Sequence, residues 1–371
     1  MSQSTGLGFI AILIVWGGLL YGLFYGSWSF GGSGDASMQL SSVAASFDGI
    51  SESSIAEGQT SFLAVSENGK NFQPSVIHFN KKINTSDIVV SPSDPDLMYA
   101  ASNLGLFVSR DGGKNWYSFS DLEKKIDVKT KVYKIFINPP QEIFISVFKD
   151  GKGIVYRTLD NLFSLDNVFE IDKEGIYDLA VKENNLYIAL SDGRLMLYSL
   201  DNNTFEVLKK FESPITHLEL ANNSRIYLAL ESGKFLISDD NGRSFRTNDG
   251  LRDMLSQGAN FDFWSNNRKV KDLWVDPQSN SVYLAAVSKI IYSSDGGGNW
   301  EFLKSLPSRK PIISAFASKK DPGIIYIASE NKIYVSRDQG AKWEILEPPI
   351  GNRTISVLNV ENGRIIVGTK R

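Results

Sequence analysis

One short turn recurs along this chain, and its repetition constrains the fold more than any other feature of the sequence. Four segments share the pattern Ser-x-Asp-x-Gly-x-x-Trp/Phe: SRDGGKNW at 109–116, SDDNGRSF at 238–245, SSDGGGNW at 293–300 and SRDQGAKW at 336–343. Three weaker copies fill the intervals: VSENGKNF at 65–72, TLDNLFSL at 158–165 and SLDNNTFE at 199–206. The stretches before the turns alternate apolar and polar residues, which is typical of β-strands.

The spacing of the seven copies predicts the architecture. Aligned on the acid position, the copies fall at 67, 111, 160, 201, 240, 295 and 338, so that neighbours are 39 to 55 residues apart. A period of this length with several short strands in each unit is typical of propeller blades of four strands. The sequence therefore predicts an all-β, seven-bladed propeller over residues 61–371.

The two ends of this domain are expected to close the ring together. Two strand-like segments, ISVLNV at 355–360 and RIIVGTK at 364–370, follow the last turn, whereas the first copy brings only a third and a fourth strand. Pairing of the C-terminal strands with residues 60–76 completes one blade and covers edges that would otherwise be exposed.

The repeated turn resembles the Asp box, or BNR repeat, of sialidases, sortilin-type receptors, some glycoside hydrolases and photosystem II assembly-factor propellers. The resemblance covers about 310 of the 371 residues, and the sortilin-type and assembly-factor propellers are closest in motif. The chain departs from sortilins because it has no cysteine-rich module, and from the assembly factors because no cysteine is present to carry a lipid.

The turn residues are interpreted as structural, because one role recurs in several blades whereas a catalytic residue should not. The aspartate accepts backbone N–H bonds, the glycine adopts positive φ, and the aromatic ring buries apolar surface. The predicted structural residues are Ser109, Asp111, Gly113, Trp116, Ser238, Asp240, Gly242, Phe245, Ser293, Asp295, Gly297, Trp300, Ser336, Asp338, Gly340 and Trp343.

The N-terminal region predicts a membrane anchor. After a tail at 1–5, residues 6–26 read GLGFIAILIVWGGLLYGLFYG, 21 residues without a charge, which is long enough for a helix to cross a hydrocarbon core of about 30 Å. The tail has no positive charge and the apolar run is long for a signal peptide, although a cleaved signal and a secreted propeller stay open as an alternative. Residues 27–60 are rich in Ser and Gly and are predicted to form a stalk or linker.

The protein is expected to cross the membrane once, with the propeller in the periplasm, the lumen or the extracellular space. The N-terminus is expected on the cytoplasmic side. The positive-inside rule does not contribute to this orientation, because no Lys or Arg precedes Lys70.

Composition excludes several classes of function. The net charge is −3, and residues after 60 carry nearly equal numbers of acids and bases, which argues against a nucleic-acid partner. With no cysteine and two histidines, His78 and His217, disulfide scaffolds and Cys-rich or multi-His metal centres are excluded. The acidic turns at 94–96 and 239–241 lack the calcium-loop spacing. No metal and no cofactor are predicted.

The enzyme interpretation finds little support in the sequence. The resemblance to sialidases implies six blades, an Arg-Ile-Pro motif near the start and an arginine triad, whereas this chain has seven copies, no such motif and no arginine before Arg110. Another glycosidase needs two carboxylates that flank the sugar, and none stands in a distinctive motif. A non-enzyme is predicted.

Two long insertions follow fourth strands, at 121–132 and 247–271, and should decorate the face opposite the repeated turns. The second brings aromatic and basic residues together, which is typical of an interface on a rigid scaffold. The candidate partner-binding residues are Arg252, Phe261, Phe263, Trp264, Arg268 and Lys269. The alternative, that the aromatic rings close over the propeller as a lid, stays open.

These features predict a non-enzymatic, membrane-tethered protein-binding scaffold, an assembly-factor-like subunit of a membrane protein complex. The expected partners are the membrane and other membrane or extracytoplasmic proteins. The alternative is a surface propeller that binds or cleaves glycans.

Overall fold

The computed structural model describes most of the chain from residue 63 onward. The described residues are 63–79, 81–248, 251, 254, 270–276, 279–286, 289–303, 306, 312–317 and 323–371. The chain divides into two compact units, Met1–Ser54 and Ile55–Arg371, and all described residues belong to the second. The predicted tail, anchor and stalk at 1–60 lie outside the described residues. Within the described part, no helix is long and apolar enough to cross a membrane.

The described residues form seven sheets, six of four strands and one of five. The first strands of neighbouring sheets contact one another in a closed ring. The prediction of an all-β, seven-bladed propeller is confirmed.

The first strand of each blade lies at the axis and the second lies next to it. The first strands, from blade 1 to blade 7, are β28 (Thr354–Glu361), β4 (Thr85–Val90), β8 (Lys131–Asn138), β12 (Ile176–Lys182), β16 (Ile215–Leu220), β20 (Val270–Val275) and β24 (Ser314–Ala317). The second strands, in the same order, are β29 (Arg364–Lys370), β5 (Met98–Ser102), β9 (Glu142–Lys149), β13 (Asn185–Leu190), β17 (Ile226–Leu230), β21 (Val282–Ala286) and β25 (Ile325–Ser329).

The third and fourth strands form the outer half of each blade. The third strands are β1 (Leu63–Ser66), β6 (Gly105–Ser109), β10 (Lys152–Thr158), β14 (Arg194–Ser199), β18 (Phe235–Ser238), β22 (Lys289–Ser293) and β26 (Lys332–Ser336). The fourth strands are β2 (Gln73–Pro74), β7 (Asn115–Ser118), β11 (Asp166–Asp172), β15 (Thr204–Lys210), β19 (Arg246–Thr247), β23 (Glu301–Phe302) and β27 (Glu344–Leu346).

The strand order defines two faces. The turns between third and fourth strands lie on one face, here named the turn face. The segments that join each fourth strand to the next first strand lie on the other, here named the connector face. Since third strands run towards the turn face, the chain enters β1 at the connector face with Leu63.

Blade 1 is built from both ends of the propeller. β1 pairs antiparallel with β29, with Leu63 opposite Gly368 and Ser66 opposite Ile365, and the sheet order is β2-β1-β29-β28. The inner half of the blade therefore comes from the C-terminal strands, and the outer half comes from residues 63–74.

A fifth strand covers the outer edge of blade 2. After β2, the chain forms β3 (Val76–His78), which pairs in parallel with β7, and the Ser75 hydroxyl donates to the Gly113 carbonyl at 2.6 Å. A covered edge cannot pair with another chain, which is a common protection of sheet edges.

Burial of the second strands explains their composition. β17, β21 and β25 read IYLAL, VYLAA and IYIAS, and all of their residues are buried. A neighbouring blade packs against each side of these strands, so that both alternating faces must be apolar. The apolar clusters of the core lie between neighbouring blades.

Candidate functional site

The repeated turns are closed by hydrogen bonds within the turn itself. In blade 5, the Ser238 hydroxyl donates to Asp240 Oδ1 at 2.8 Å and accepts from the Gly242 N–H at 2.8 Å. Asp240 also accepts from the backbone N–H of Ser244 at 2.8 Å and from its hydroxyl at 2.6 Å. Gly242 has φ of +89°, a conformation that favours glycine.

The same arrangement recurs in blades 2, 6 and 7. The Ser–Asp hydroxyl bonds are Ser109–Asp111 at 2.9 Å, Ser293–Asp295 at 2.7 Å and Ser336–Asp338 at 2.9 Å. The glycine N–H bonds to the serine hydroxyl are those of Gly113 at 2.9 Å, Gly297 at 2.7 Å and Gly340 at 2.7 Å. Trp116 is fully buried, whereas Phe245, Trp300 and Trp343 are partly buried against core clusters.

The weaker copies keep the hydroxyl–acid bond of the turn to different degrees. In blade 1 the Ser66 hydroxyl donates to Asn68 at 3.3 Å, so that Asn68 holds the acid position and the alignment on residue 67 is one residue off. In blade 3, Thr158 and Asp160 form the bond at 2.7 Å. In blade 4, Asp201 accepts from the Asn184 side chain instead, at 2.8 Å.

Hydrogen bonds keep the turn carboxylates ionised. The hydroxyl and the N–H of Ser244, with the hydroxyl of Ser238, lower the pKa of Asp240 to about 2. Hydrogen bonds from Asn299 and Ser293 likewise lower the pKa of Asp295, and those from Lys342 and Ser336 lower the pKa of Asp338. A carboxyl group with a lowered pKa whose oxygen atoms accept hydrogen bonds within its own turn is poorly suited to move a proton.

A second set of polar residues lines the axis, and the sequence analysis missed it. The first strands of blades 1 to 6 carry a register shift near their start. The residue that follows it is Val357 in blade 1, and in blades 2 to 6 it is Asp87, Lys134, Asp178, His217 and Asp272. Ser314 in blade 7 is equivalent, because the next N–H in its strand bonds to Asp272. The six polar residues, without Val357, are named the axial ring.

The three axial aspartates join neighbouring blades. Asp87 accepts from the Ile88 N–H at 3.0 Å within its own blade and from the Ile135 N–H at 3.0 Å in the next blade. Asp178 does the same with Leu179 at 3.0 Å and Leu218 at 2.8 Å. Asp272 does so with Leu273 and Ala315, each at 3.0 Å.

Lys134 lies between two of these carboxylates. Its Nζ is 3.4 Å from Asp178 Oδ1 and 4.0 Å from Asp87 Oδ2, and 34% of its side chain is exposed. Asp178 and then Asp87 raise the pKa of the Lys134 ammonium. Burial raises the pKa of Asp87, and Lys134 opposes this effect.

His217 follows Asp178 in the axial ring. Its Nε2 is 3.2 Å from the Lys271 carbonyl, and its Nδ1 is 3.1 Å from the Thr216 hydroxyl. Because a carbonyl only accepts, Nε2 carries the hydrogen. Burial lowers the pKa of His217, whereas Asp272 raises it.

Aromatic and basic side chains lie at the connector-face end of the axis. The rings of Tyr133 and Tyr177 have centroids 6.0 Å apart, and the Lys131 Nζ lies 4.4 Å from the centroid of Tyr133. Tyr177 is 38% exposed. An apolar ring face beside a cation is suited to contact a bound molecule.

The structure describes only one of the two insertions in full. The candidate residues Arg252, Phe261, Phe263, Trp264, Arg268 and Lys269 lie outside the described residues, and their role stays a prediction.

The other insertion, at 121–132, is a fixed loop. Ile126 and Thr130 are fully buried, and the Asp121 carboxylate accepts from the backbone N–H groups of Glu123 at 3.1 Å and Ile126 at 2.7 Å. The loop lies on the connector face, because a Cβ on Gly105 at the start of β6 would come within 2.8 Å of the Asp127 carbonyl. The side chain at its tip, Leu122, is 99% exposed.

Part of the axial ring leaves a trace in the sequence. The first strands of blades 2, 4 and 6 read Ser-Asp-Ile at 86–88, Tyr-Asp-Leu at 177–179 and Lys-Asp-Leu at 271–273. An acid before an apolar residue at the same place in three strands is a signal that an alignment of the blades on their first strands would reveal.

One small cavity and no metal-binding cluster are found among the described residues. They contain no cluster of three or more Asp, Glu or His side chains that could hold a metal ion. A cavity of about 140 Å³ lies between blades 1 and 2 on the turn face, well below the several hundred Å³ of typical ligand pockets. Its Arg364 is paired with Glu67 at 2.9 Å and Asp96 at 3.3 Å.

Solved propellers resemble this one in structure. YCF48 from Cyanidioschyzon merolae superposes with a TM-score of 0.57 at 12% identity, over 78% of this chain and 97% of that chain. A structure of YCF48 bound to D1 peptide gives 0.58 at 12% identity, over 78% and 94%. The WD40 propeller domain of Doa1 gives 0.56 at 12% identity, over 78% and 91%. Likeness at these identities shows the fold and leaves function to the site.

Comparisons of sequence alone add nothing to this likeness. No protein-family model matches the chain, and no curated protein matches it.

Proposed function

We propose that this protein is a non-enzymatic, membrane-tethered scaffold that binds a protein partner outside the cytoplasm, as an assembly-factor-like subunit of a membrane protein complex. The observation that carries the proposal is the use of the axial aspartates. Each one is bonded to backbone N–H groups of two blades, so that the polar centre of the propeller holds the frame rigid.

The hydrogen bonds of the axial aspartates also argue against a glycosidase. Hydrolysis of a glycosidic bond needs two carboxyl groups that reach the sugar, one of them able to give and take a proton. Asp87 and Asp178 both lie near the Lys134 ammonium, and each accepts from its own pair of backbone N–H groups. The turn carboxylates are bonded within their own turns. The repeated turns serve, in this proposal, as Asp boxes of the BNR type with a structural role.

The connector face is the proposed binding face. It presents the Tyr133–Tyr177 pair, Lys131 and the exposed Leu122, all held by a rigid scaffold, and the insertion at 247–271 starts and ends there by topology. Exposed aromatic and basic groups on a fixed surface are common anchors of protein interfaces. The solved YCF48 bound to D1 peptide supports a peptide or protein as the ligand of such a propeller.

Crosslinking of the full-length protein tests this proposal. The tagged chain is extracted from membranes with a mild detergent, and crosslinks to co-purifying proteins are located by mass spectrometry. We expect reproducible crosslinks from Lys124, Lys125, Lys129 and Lys131 to another membrane protein. The turn-face lysines Lys70 and Lys342 serve as the internal control. A chain that is recovered alone, or crosslinks equally from both faces, contradicts the proposal.

A glycan is the second candidate ligand, favoured by the exposed Tyr177 ring beside Tyr133. Sugars stack on aromatic faces, and a glycan array with the full chain in detergent would detect this. Binding that is lost in Tyr177→Ala and kept in Tyr117→Ala, a partly exposed tyrosine on the fourth strand β7 of blade 2 that stacks on His78, would favour the glycan over the protein.

A further inference from the structure

The loop at 121–131 combines an exposed apolar side chain with cations that have no carboxylate partner. The Asp121 carboxylate is taken by backbone N–H groups, Glu123 pairs with Lys125 at 2.7 Å, and Asp127 pairs with Lys149 at 3.4 Å. Within the described part of the chain, Lys124, Lys129 and Lys131 form no ion pair, and all three are exposed. The loop therefore presents Leu122 among three uncompensated positive charges.

The surroundings of the loop strengthen this positive charge. Lys81 and Lys82 precede β4 on the same face, and both are exposed. Asn84 accepts from the Arg371 N–H at 3.0 Å, which brings the end of β29 to this side of the propeller. Outside the loop, the exposed acids that follow it first in sequence on this side are Asp150 in the β9–β10 turn and Asp172 at the end of β11. Asp172 lies 3.9 Å from the Lys152 ammonium, and the Lys173 N–H donates to the Gly151 carbonyl at 2.8 Å.

The connector face is also where the chain arrives from its N-terminal region. Third strands run from the connector face to the turn face, so that Leu63 at the start of β1 lies on this side. Thirty-six residues separate the 21-residue apolar segment at 6–26 from Leu63 in the sequence. The described propeller therefore begins on the face that carries the 121–131 loop.

We infer that the 121–131 loop docks on an anionic lipid surface, with Leu122 inserted among the acyl chains near the head groups and Lys124, Lys129 and Lys131 in contact with lipid phosphates. This inference rests on the proposed membrane tether, which would keep the propeller close to a bilayer. An apolar side chain among lysines is the usual composition of a surface that lies in a membrane interface. Each lysine near an anionic surface adds attraction that falls off within a Debye length.

The absence of cysteine makes the test direct. Leu122→Cys and Arg243→Cys each give a single thiol in the full-length chain, the first on the connector face and the second in an exposed turn on the turn face. Each variant is labelled with an environment-sensitive fluorophore and mixed with vesicles of phosphatidylcholine alone or of phosphatidylcholine with phosphatidylglycerol. We expect a blue shift from position 122 with the anionic vesicles and none from position 243.

Charge reversal supplies the second measurement. In Lys124→Glu/Lys129→Glu/Lys131→Glu, affinity of the loop for anionic vesicles should fall by at least about 100-fold, because each lysine contributes roughly a factor of five to ten. The matched control reverses Lys70, Arg243 and Lys342 on the turn face and should leave the shift unchanged. Raised salt should weaken the wild-type signal.

Failure of the inference and failure of the tether are distinguishable. If the chain leaves the membrane during an alkaline wash, the tether is wrong, and the response of the released chain to added anionic vesicles still decides the lipid contact. No shift at position 122 with anionic vesicles, or equal shifts at both positions, overturns the inference. A shift at 122 that needs a co-purifying protein and not lipid also overturns it, in favour of an acidic protein surface.

Discussion

At the scale of single residues, the propeller uses buried aspartate side chains to connect backbone groups of neighbouring blades. A buried carboxylate has a high desolvation cost unless donors replace water. Asp87, Asp178 and Asp272 each receive two or more donors, at least one of them from the next blade. Lys134 then reduces the repulsion between two of them.

Removal of the central ammonium should destabilise the fold. Lys134→Met leaves Asp87 and Asp178 facing each other without a cation, and we expect a loss of about 2–3 kcal/mol of unfolding free energy. This is less than the 3–5 kcal/mol typical of a broken buried pair, because a third of Lys134 is exposed. Denaturant unfolding measures the change. Lys129→Met, exposed and without an ion pair, is the control, and equal stability of the two variants would contradict the prediction.

The repeated turns should contribute a pH-dependent stability. The pKa of Asp240 is lowered to about 2 in the folded protein, so its contribution is complete above the unfolded pKa near 4 and is lost as the pH falls towards 2. Asp240→Asn should therefore be less stable than the wild type at pH 7, and the difference should shrink between about pH 4 and pH 2.

Asn68 provides the matched control for this pH dependence. It holds the acid position of the turn in blade 1 and accepts from the Asn71 N–H at 2.9 Å, but an amide does not titrate. Asn68→Ala should lower stability by the same amount across that pH range. If the Asp240→Asn difference is equally flat, the charge of the turn aspartate has no role in stability.

At the scale of elements, close approach between blades decides which residues a strand tolerates. Gly368 in β29 lies opposite the start of β4 in the next blade, and a Cβ there would be 2.6 Å from the Thr85 Cγ2 and 3.0 Å from the Ile88 Cδ1. This glycine is needed for space, because its φ is not in the left-handed region.

Gly368→Ala should push blades 1 and 2 apart at the point where the ring closes. We expect a cost of about 1–3 kcal/mol, typical of overpacking a core, measured by thermal or denaturant unfolding. The new Cβ would also lie 2.8 Å from the Thr85 Cβ. Thr85→Gly removes both Thr85 atoms that it meets, so the double variant should recover part of the loss. A double variant whose losses simply add would show that the close contact is not the cause.

At this scale the sequence predicted the turns within each repeat and the pairing of the two chain ends, and it missed the strand that crosses from blade 1 to blade 2. The hydroxyl–carboxylate bond of each strong turn joins residues two apart, such as Ser238 and Asp240, so a window of eight residues contains its cause. The pairing of β3 with β7 joins residues about 40 apart in parallel, and neither segment has a pattern that names the other.

At the scale of the whole molecule, the ring is held closed by strands from its two ends. β1 pairs with β29 over four residues, and the first strand β28 of the same blade contacts β4 and β24 on either side. A propeller that loses this blade exposes the apolar faces of two neighbours, so that stability should be shared around the ring.

Deletion of residues 364–371, which removes β29 and Arg371, should abolish cooperative unfolding. β1 then has no inner partner, and the clusters on both sides of blade 1 open to water. Calorimetry or circular dichroism on heating would show a broad change in place of a single transition. Deletion of Arg371 alone, which removes one backbone bond to Asn84, should keep the transition, and a sharp transition in the longer deletion would contradict the shared closure.

The sequence by itself determined the blade count, the turns and the all-β class, because each of these follows from contacts within one period of the repeat. Only the tertiary structure decided the axial ring, since Asp87, Lys134 and Asp178 are more than 40 residues apart and meet where seven first strands converge. It also decided that Asn68 holds the acid position in blade 1. For the axial ring the physical reason is that a side chain's partner across a blade boundary is fixed by the packing of the ring. For Asn68 the reason is local, because the blade 1 turn from Ser66 to Phe72 is one residue shorter than the strong copies and only the observed bond to Ser66 shows which residue takes the acid position.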